Sequence, residues 1–319
     1  MSGRRTERSS NFARPWEREQ CCLTLRSTGR ARHRIQPLDF TIQKMKPLAI
    51  LSVLIGIGAA SFGAATAQTG TLLDNHTGYS AVPIETTVKT ELGVFTAISN
   101  SVFRPQGAGP FPAAVVVHTC GGLQNEHIRR HAQELLEAGY VVFVQDSHNP
   151  RGFRTCRERP IPFAVGLMDA YAGLNHLATL PFVDANRIFL VGYSYGGFVA
   201  MLATSPRSAT TFKSPVRFRA AVAHYANCVR PSGARTLLDD VDRPLLMLFG
   251  ERDTETPMTT CFPLVDELLA KGRPVSWHVY PGMTHSWDKQ GEAANGYIFD
   301  RAAALDATRR TLEFFNQQK

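Results

Sequence analysis

Short apolar stretches alternate with longer amphipathic ones along most of this chain, and no other feature constrains its fold as strongly. Six stretches have the composition of buried strands: Ala113–His118, Val141–Gln145, Arg187–Gly192, Ala220–Tyr225, Pro244–Phe249 and Val275–Tyr280. Five have helical spacing: Glu126–Ala138, Phe163–Leu180, Gly197–Thr204, Cys261–Ala270 and Ala302–Phe315. Apolar strands that alternate with helices predict an α/β fold, with a mostly parallel sheet covered by helices on both faces.

The region ahead of the first buried strand has a different pattern. Residues 68–81 have the composition of a loose lead-in, and from Pro83 to about Arg104 apolar and polar residues alternate. This alternation predicts an antiparallel pair of strands at the N-terminal side of the sheet. No linker rich in Pro, Gly or Ser interrupts the later pattern, so residues 68–319 are predicted to form a single domain.

The sequence from Met45 has the three parts of a secretory signal peptide. Lys46 supplies a positive start, an apolar run begins at Leu48, and Ala65–Ala67 is a small-residue cleavage site. Cleavage would leave Gln68 as the first residue. A membrane anchor is the alternative for residues 45–67, because the apolar run approaches the ~20 residues that span a bilayer. Both interpretations place the domain outside the cytoplasm, in the periplasm or secreted.

The basic charge of the chain is concentrated at its N-terminus. The whole chain has a net charge of +8, but residues 1–44 hold 10 Lys and Arg against 4 Asp and Glu. Residues 68–319 hold 24 against 23, so the predicted domain is nearly neutral. This balance argues against a nucleic-acid partner. Since signal peptides normally begin at the initiator Met, we interpret residues 1–44 as a non-native over-reading, with Met45 as the true start. The alternative is a disordered extension ahead of a membrane anchor.

A G-x-S-x-G motif occupies Gly192–Gly196 and has Ser194 at its centre. It directly follows a predicted buried strand and opens a predicted helix. This strand–turn–helix context is that of a nucleophile elbow, in which small residues permit a sharp turn that exposes the serine hydroxyl. The sequence therefore predicts Ser194 as a nucleophile.

A serine nucleophile needs a base and an acid, which follow it along the chain in this arrangement. His278 lies inside a predicted strand, whereas His285 lies in the loop just after that strand, so His285 is the predicted base. Asp253 follows the preceding strand and is the predicted acid, with Glu251 and Glu255 as alternatives.

An oxyanion hole requires two backbone N–H groups aimed at the developing negative charge. The residue after the nucleophile, Tyr195, is predicted to supply one. The loop that follows the first buried strand, His118–Gly122, is predicted to supply the other through Cys120.

Four cysteines lie within residues 68–319: Cys120, Cys156, Cys228 and Cys261. An even number outside the cytoplasm indicates disulfides. Because both members of each pair follow the ends of strands expected to be neighbours, we predict the pairs Cys120–Cys156 and Cys228–Cys261. The spacings match no zinc pattern, so no metal is expected.

These motifs together resemble the dienelactone hydrolase family of the α/β-hydrolase fold. The resemblance runs from about residue 113 to the C-terminus and rests on five segments: His118–Gly122, Asp146–Gly152, Gly192–Gly196, Gly250–Pro257 and Gly282–His285. It implies hydrolysis of small esters or lactones by a nucleophile–His–Asp triad without metal or cofactor. The chain departs from the founding members, which have cysteine where Ser194 stands and glycine where Thr119 stands.

The sequence thus predicts an exported serine hydrolase that cleaves a small ester or lactone. Two alternatives stay open: a peptidase or deacylase that acts on a larger substrate, and a non-catalytic binding protein built on the same fold. No membrane association is expected after signal cleavage, and the oligomeric state is not predicted.

Overall fold

In the computed structural model, the structure describes residues 72–92, 98–124, 126–291 and 296–318. The predicted extension at residues 1–44 and the predicted signal peptide or anchor at residues 45–67 lie outside these residues. Within the described ranges, no helix has the length and apolar character needed to cross a membrane.

The described part of the chain contains an eight-stranded sheet in the order β1-β2-β4-β3-β5-β6-β7-β8. The strands are β1 (Val88–Lys89), β2 (Ser101–Phe103), β3 (Phe111–Val117), β4 (Val141–Gln145), β5 (Val183–Tyr193), β6 (Ala221–His224), β7 (Leu245–Gly250) and β8 (Val275–Tyr280). The α-helices are α1 (Glu126–Glu137), α2 (Phe163–Thr179), α3 (Tyr195–Ala203), α4 (Pro206–Thr211), α5 (Phe262–Ala270) and α6 (Arg301–Gln317). The predicted α/β-hydrolase fold is therefore confirmed.

The N-terminal strands pair differently from the expectation of a simple antiparallel pair. β1 and β2 run parallel, with Val88 opposite Val102. The antiparallel pairing joins β2 to β4, where Val102 lies opposite Phe143. The alternation of apolar and polar residues indicates which side chains face the core, but it does not specify the partner strand. Here the free edge of β4 takes up β2, whose three residues are all buried.

The core lies on both faces of the sheet because successive strand side chains point to opposite sides. In β3, Ala113, Val115 and Val117 pack on one face, which helices α2, α3 and α5 cover. Ala114 and Val116 pack on the other face, against α1 and α6. Burial on both faces explains why these strands are continuous apolar runs rather than alternating ones.

Strand register brings the candidate site residues to one edge of the sheet. Val117 of β3 lies opposite Gly192 of β5, and Gly250 of β7 lies opposite Tyr280 of β8. These residues are at or near the carboxyl ends of their strands. The loops that follow them therefore emerge side by side, at the edge where open α/β sheets place their sites.

Candidate active site

The predicted nucleophile lies on a sharp turn between β5 and α3. Ser194 has φ +50° and ψ −107°, a conformation that few residues other than glycine adopt. A Cβ at Gly192 would lie 1.9 Å from the carbonyl oxygen of Gly196, and one at Gly196 would lie 2.3 Å from that of Val117. The turn therefore forms only with glycine at both positions. It places Ser194 immediately before the first turn of α3, where the helix dipole favours negative charge.

The structure brings the three predicted triad residues into one hydrogen-bonded chain. His285 Nε2 lies 2.9 Å from Ser194 Oγ, and His285 Nδ1 lies 2.8 Å from Asp253 Oδ2. All three side chains are largely buried. Because Asp253 accepts a hydrogen bond from Nδ1–H, Nε2 is left as the acceptor that faces the serine hydroxyl. This arrangement allows His285 to remove the proton from Ser194.

The two alternative carboxylates do not take the position of the acid. Glu251 accepts a hydrogen bond from the backbone N–H of Gly282 at 2.7 Å. Glu255 is 47% exposed, with Oε2 3.7 Å from His285 Nε2. Glu255 thus approaches the nitrogen that faces Ser194, and of the three carboxylates Asp253 is the one that bonds to Nδ1.

Asp253 is held by more than His285. Its Oδ1 accepts hydrogen bonds from the backbone N–H groups of Glu255, at 2.9 Å, and Thr256, at 2.8 Å. Burial would raise the pKa of Asp253, but the hydrogen bond and charge of His285 and the donors of Thr256 lower this pKa below its ordinary value. The carboxylate therefore stays ionised, as orientation of His285 requires.

Thr256 is a site residue that the sequence reasoning missed. Its Oγ1 lies 2.7 Å from Asp253 Oδ2 and 2.9 Å from the carbonyl oxygen of Tyr225. It thereby links the acid to the loop after β6. The available signal was the polar turn that follows Asp253, in which an aspartate commonly bonds to backbone N–H groups two and three residues on.

The two predicted oxyanion donors lie near the predicted nucleophile. Tyr195 follows Ser194 at the start of α3, and Cys120 lines the same cavity as Ser194. Among the described residues, no hydrogen bond uses the backbone N–H of Cys120 or Tyr195. By contrast, the N–H of Gly121 donates to Thr119 Oγ1 at 3.1 Å. Cys120 and Tyr195 thus have backbone donors at hand for a ligand.

His118 fixes the loop that carries Cys120. Its Nδ1–H donates to the carbonyl oxygen of Thr119 at 2.7 Å, and its Nε2 accepts from the backbone N–H of Ser147 at 3.1 Å. Burial lowers the pKa of His118, which suits a ring that both donates and accepts. The same Thr119 oxygen accepts from the N–H of Gly122 at 2.9 Å, so the departure from glycine at position 119 is accommodated in an ordered turn.

The structure joins the cysteines in the two pairs that the sequence predicts. The Cys120–Cys156 disulfide has a Cα–Cα distance of 5.0 Å and ties the Cys120 loop to the loop that carries Thr155 and Arg157. The Cys228–Cys261 disulfide has a Cα–Cα distance of 4.8 Å, is fully buried, and joins the segment after β6 to the start of α5.

Ser194 and His285 open into a cavity of about 240 Å³. Its rim carries charges of both signs, from Arg157, Lys289 and Glu255. Among the described residues, no group of three or more His, Cys, Asp or Glu side chains has the arrangement of a metal site.

Not every arginine of the basic 151–159 loop faces this cavity. Arg157 lines it, whereas Arg151 pairs with the buried carboxylate of Asp169 at 2.8 and 2.9 Å. The loop is therefore partly structural, and Arg157 is its contribution to the cavity wall.

A second buried polar group lies on the α1 side of the sheet, and no motif in the sequence predicts it. His131 Nε2 lies 2.7 Å from Asp288 Oδ2, and His131 Nδ1 lies 3.0 Å from Glu134 Oε2. The Tyr225 hydroxyl donates to Asp288 Oδ2 at 3.2 Å. We refer to His131, Glu134, Tyr225 and Asp288 as the His131 cluster.

The His131 cluster packs directly against β5, the strand that leads into Ser194. The His131 ring stacks on Tyr193, the residue before Ser194, with 4.5 Å between ring centroids and 9° between planes. Although burial opposes charge on His131, its hydrogen bonds to Asp288 and Glu134 raise its pKa above the ordinary value. Burial would raise the pKa of Asp288, but the hydrogen bond and charge of His131 bring it well below the ordinary range.

A mostly parallel sheet with helices on both faces and a nucleophile elbow defines the α/β-hydrolase class. Within that class, this chain belongs to the dienelactone hydrolase family, whose family model matches residues 98–319. Members of this family act on ester bonds, and the chain is accordingly a hydrolase of esters with a small-molecule substrate.

Several proteins show this relationship. A Synechocystis sp. protein is 25% identical over 256 residues, covering 74% of this chain and 98% of its own length. An Escherichia coli K12 protein is 24% identical over 230 residues, covering 67% and 80% respectively. Both carry a provisional assignment as carboxymethylenebutenolidase.

Solved structures share the fold. A dienelactone hydrolase from Klebsiella pneumoniae, itself provisionally assigned, superposes with a TM-score of 0.55 at 24% identity, over 68% of this chain and 91% of its own. Esterase 2 of Thermogutta terrifontis, phosphonylated by cyclosarin, gives a TM-score of 0.53 at 18% identity, over 72% and 94%.

Proposed function

We propose that this chain is an exported serine hydrolase that cleaves a small ester or lactone through an acyl-enzyme intermediate on Ser194. The observation that carries the proposal is the unbroken chain of hydrogen bonds from Ser194 Oγ through His285, at 2.9 Å, to Asp253, at 2.8 Å. Ser194 lies on a strained elbow, and both Ser194 and His285 line a cavity. These are the parts that activation of a serine hydroxyl requires.

The steps follow from this geometry. Ser194 Oγ attacks the ester carbonyl carbon while His285 Nε2 takes its proton, and Asp253 stabilises the imidazolium. The carbonyl oxygen becomes an oxyanion bound by the N–H groups of Cys120 and Tyr195. Collapse breaks the bond to the leaving oxygen, which receives the proton from His285. Water, activated by His285, then attacks the acyl-enzyme and regenerates Ser194.

The cavity supports a small substrate. Its volume of about 240 Å³ lies below the roughly 300–1,000 Å³ of pockets that hold drug-sized ligands. A lactone fits the same mechanism, since its leaving alkoxide stays tethered to the acyl group. The provisional assignment of the Synechocystis and Escherichia coli relatives as carboxymethylenebutenolidases is consistent with a lactone substrate.

Export is supported by the residues 45–67 and by the cysteines. A positive start, an apolar run and the small residues Ala65–Ala67 fit a cleavable signal. The disulfides Cys120–Cys156 and Cys228–Cys261 are typical of oxidising compartments. N-terminal sequencing of the mature protein should begin at Gln68, and a product that retains residues 1–67 would contradict cleavage.

The catalytic proposal is tested with p-nitrophenyl acetate, a panel of small lactones and a fluorophosphonate label, a suitable probe because a structural neighbour is phosphonylated. We expect turnover and covalent labelling by the wild type and neither by Ser194→Ala. Ser276→Ala, which removes a hydroxyl in β8 bonded to the Leu245 carbonyl oxygen, is the matched serine control and should behave as wild type.

Other outcomes would replace the proposal. Turnover unaffected by Ser194→Ala would refute the nucleophile. Absence of both turnover and labelling in the wild type would favour a binding protein, and faster cleavage of peptides or polymeric acyl groups than of small esters would favour the peptidase or deacylase alternative.

A further inference from the structure

The His131 cluster holds a buried charge pair that the proposed chemistry does not use. Asp288 is fully buried and His131 is nearly so. The described residues that line the cavity next to Ser194 do not include His131 or Asp288. These two groups therefore do not meet the substrate directly.

The protonation state of His131 follows from its neighbours. Both ring nitrogens face carboxylate oxygens, at 2.7 Å from Asp288 and 3.0 Å from Glu134. A carboxylate only accepts hydrogen bonds, so both nitrogens must carry protons and the ring is an imidazolium. The pair is thus a cation and an anion packed inside the protein.

Buried ion pairs are an inefficient source of stability. The cost of removing both charges from water offsets most of their attraction, and apolar side chains of similar volume often stabilise as well or better. What such a pair does offer is a defined arrangement, because each partner is strongly destabilised when it leaves the other. The His131–Asp288 pair therefore suits a segment whose position matters.

The loop after β8 carries both Asp288 and the proposed general base, His285. Asp288 is three residues beyond His285 in the loop after β8, and its carbonyl oxygen also accepts from the Arg130 guanidinium at 2.6 Å. Trp287 between them is fully buried and packs on Tyr225, with 5.0 Å between ring centroids. Both the side chain and the backbone of Asp288 thus tie this loop to α1.

Tyr225 connects Asp288 to the triad. Its hydroxyl donates to Asp288, and its ring packs edge-on against the His285 ring with 5.0 Å between centroids. Its carbonyl oxygen accepts from Thr256, whose hydroxyl also meets Asp253. Tyr225 therefore contacts Asp288 and the proposed base, His285. Its backbone also contacts Thr256, which supports the acid.

We propose that Asp288, as the anion of a buried pair with His131, is a positioning residue that holds His285 and, through Tyr225, keeps its Nε2 within reach of Ser194. This inference rests on the proposed function. Loss of the His131–Asp288 pair would let the His285 ring shift. A displacement of about 1 Å in catalytic geometry lowers the rate on the order of 100-fold.

The test compares Asp288→Asn and Tyr225→Phe with wild type. Asp288→Asn keeps the shape and removes the charge, and Tyr225→Phe keeps the ring and removes one hydrogen bond. Asp242→Asn is the matched control, because Asp242 makes two short hydrogen bonds to Arg217 at the amino end of β7, away from the site. Each variant is assayed for kcat and KM with p-nitrophenyl acetate, for the rate of fluorophosphonate labelling, and for its melting temperature.

We expect Asp288→Asn to lower kcat and the labelling rate by the same factor, about 10- to 100-fold, with KM within about twofold of wild type. Tyr225→Phe should show a smaller loss, of about threefold to tenfold, in both rates. Asp242→Asn should lower only the melting temperature.

A merely structural role would lower the melting temperature of Asp288→Asn while kcat and the labelling rate per folded molecule matched wild type, and that result would overturn the inference. If Asp288→Asn does not fold, Tyr225→Phe decides, and unchanged rates in that variant would overturn it. Failure of the proposed function is distinguishable, because the wild type itself would then neither turn over the ester nor react with the label, and both proposals would be lost.

Discussion

Two buried histidine–carboxylate pairs lie close together in this molecule and differ in one neighbour. His285 meets Asp253 at 2.8 Å and His131 meets Asp288 at 2.7 Å. The second nitrogen of His285 faces the hydroxyl of Ser194 and a cavity, whereas the second nitrogen of His131 faces another carboxylate. A ring between an acid and a hydroxyl can pass a proton, while a ring between two acids stays charged. The third group, more than the pair itself, decides whether the histidine can transfer a proton or remains a fixed charge.

The largest effect should come from the acid of the first pair. Asp253→Asn presents an amide donor to Nδ1 and so favours the tautomer in which Nε2 carries a proton and cannot accept one from Ser194. We expect kcat to fall by about 10⁴-fold while the melting temperature changes little. The measurement is steady-state hydrolysis of p-nitrophenyl acetate, and a loss below tenfold would contradict the assignment of Asp253.

Removal of the charged ring from the second pair should act on stability first. His131→Gln leaves Asp288 as a buried anion without its cation, and breaking such a pair typically costs about 3–5 kcal/mol. Urea denaturation should show a reduction of this order in the free energy of unfolding. The loss in kcat should be at most about 100-fold, far from the effect of Asp253→Asn. A stability equal to wild type would indicate that His131 is uncharged.

The histidines around His131 predict loss of stability in acid. Burial lowers the pKa of His127 and of His224 to about 3. Their contribution to stability is therefore present above about pH 6.5, the ordinary histidine value, and is lost as the pH falls towards 3, because only the unfolded chain takes up these protons. Each of these two histidines should lower the free energy of unfolding by about 2 kcal/mol between pH 7 and pH 5.

The His131 charge has the opposite dependence. Since its pKa is raised in the folded chain, its contribution is complete below about pH 6.5 and is lost as the pH rises through the raised pKa. Urea titrations at pH 5, 7 and 9 separate the two trends. His127→Leu should reduce the loss between pH 7 and pH 5 without changing the trend above pH 7, and an unchanged acid profile in this variant would exclude His127 as a cause.

The smallest effect should follow from substitution of Glu134, the second carboxylate that bonds to His131. Glu134 is partly exposed and also accepts from the Thr308 hydroxyl at 2.8 Å. Glu134→Gln keeps Asp288 as the main partner of His131, so we expect a loss of about 1 kcal/mol in unfolding free energy and kcat within twofold of wild type. A loss as large as that of His131→Gln would mean that Glu134, not Asp288, holds the charge.

Much of the fold could be predicted because the central strands are buried on both faces. The continuous apolar run predicts β4 at its observed limits, Val141–Gln145, where all five residues are buried. β8 also has its predicted limits, Val275–Tyr280, although only its two end residues are buried. Since parallel strands end at one edge, the loops after them could be assigned to one site before their distances were known. This is why Ser194, Asp253 and His285 could be selected from the sequence alone.

Other features depend on contacts that no local pattern encodes. His131 and Asp288 are 157 residues apart and meet only because α1 and the loop after β8 pack on the same face of the sheet. The pairing of β2 with β4 likewise depends on which edge is free. Thr256 lies in the polar turn that follows Asp253, but its second contact is with the Tyr225 carbonyl oxygen, which belongs to another loop.

The backbone of Ser194 has a consequence for how this sequence evolves. At φ +50° and ψ −107°, glycine would occupy position 194 without strain, so the fold by itself favours the residue that has no hydroxyl. Under the proposed function, selection for the reactivity of Ser194 retains serine against this preference. A descendant released from that selection should drift towards glycine at this position before its core changes. Under that proposal, glycine at position 194 in a descendant of this chain would indicate loss of the activity.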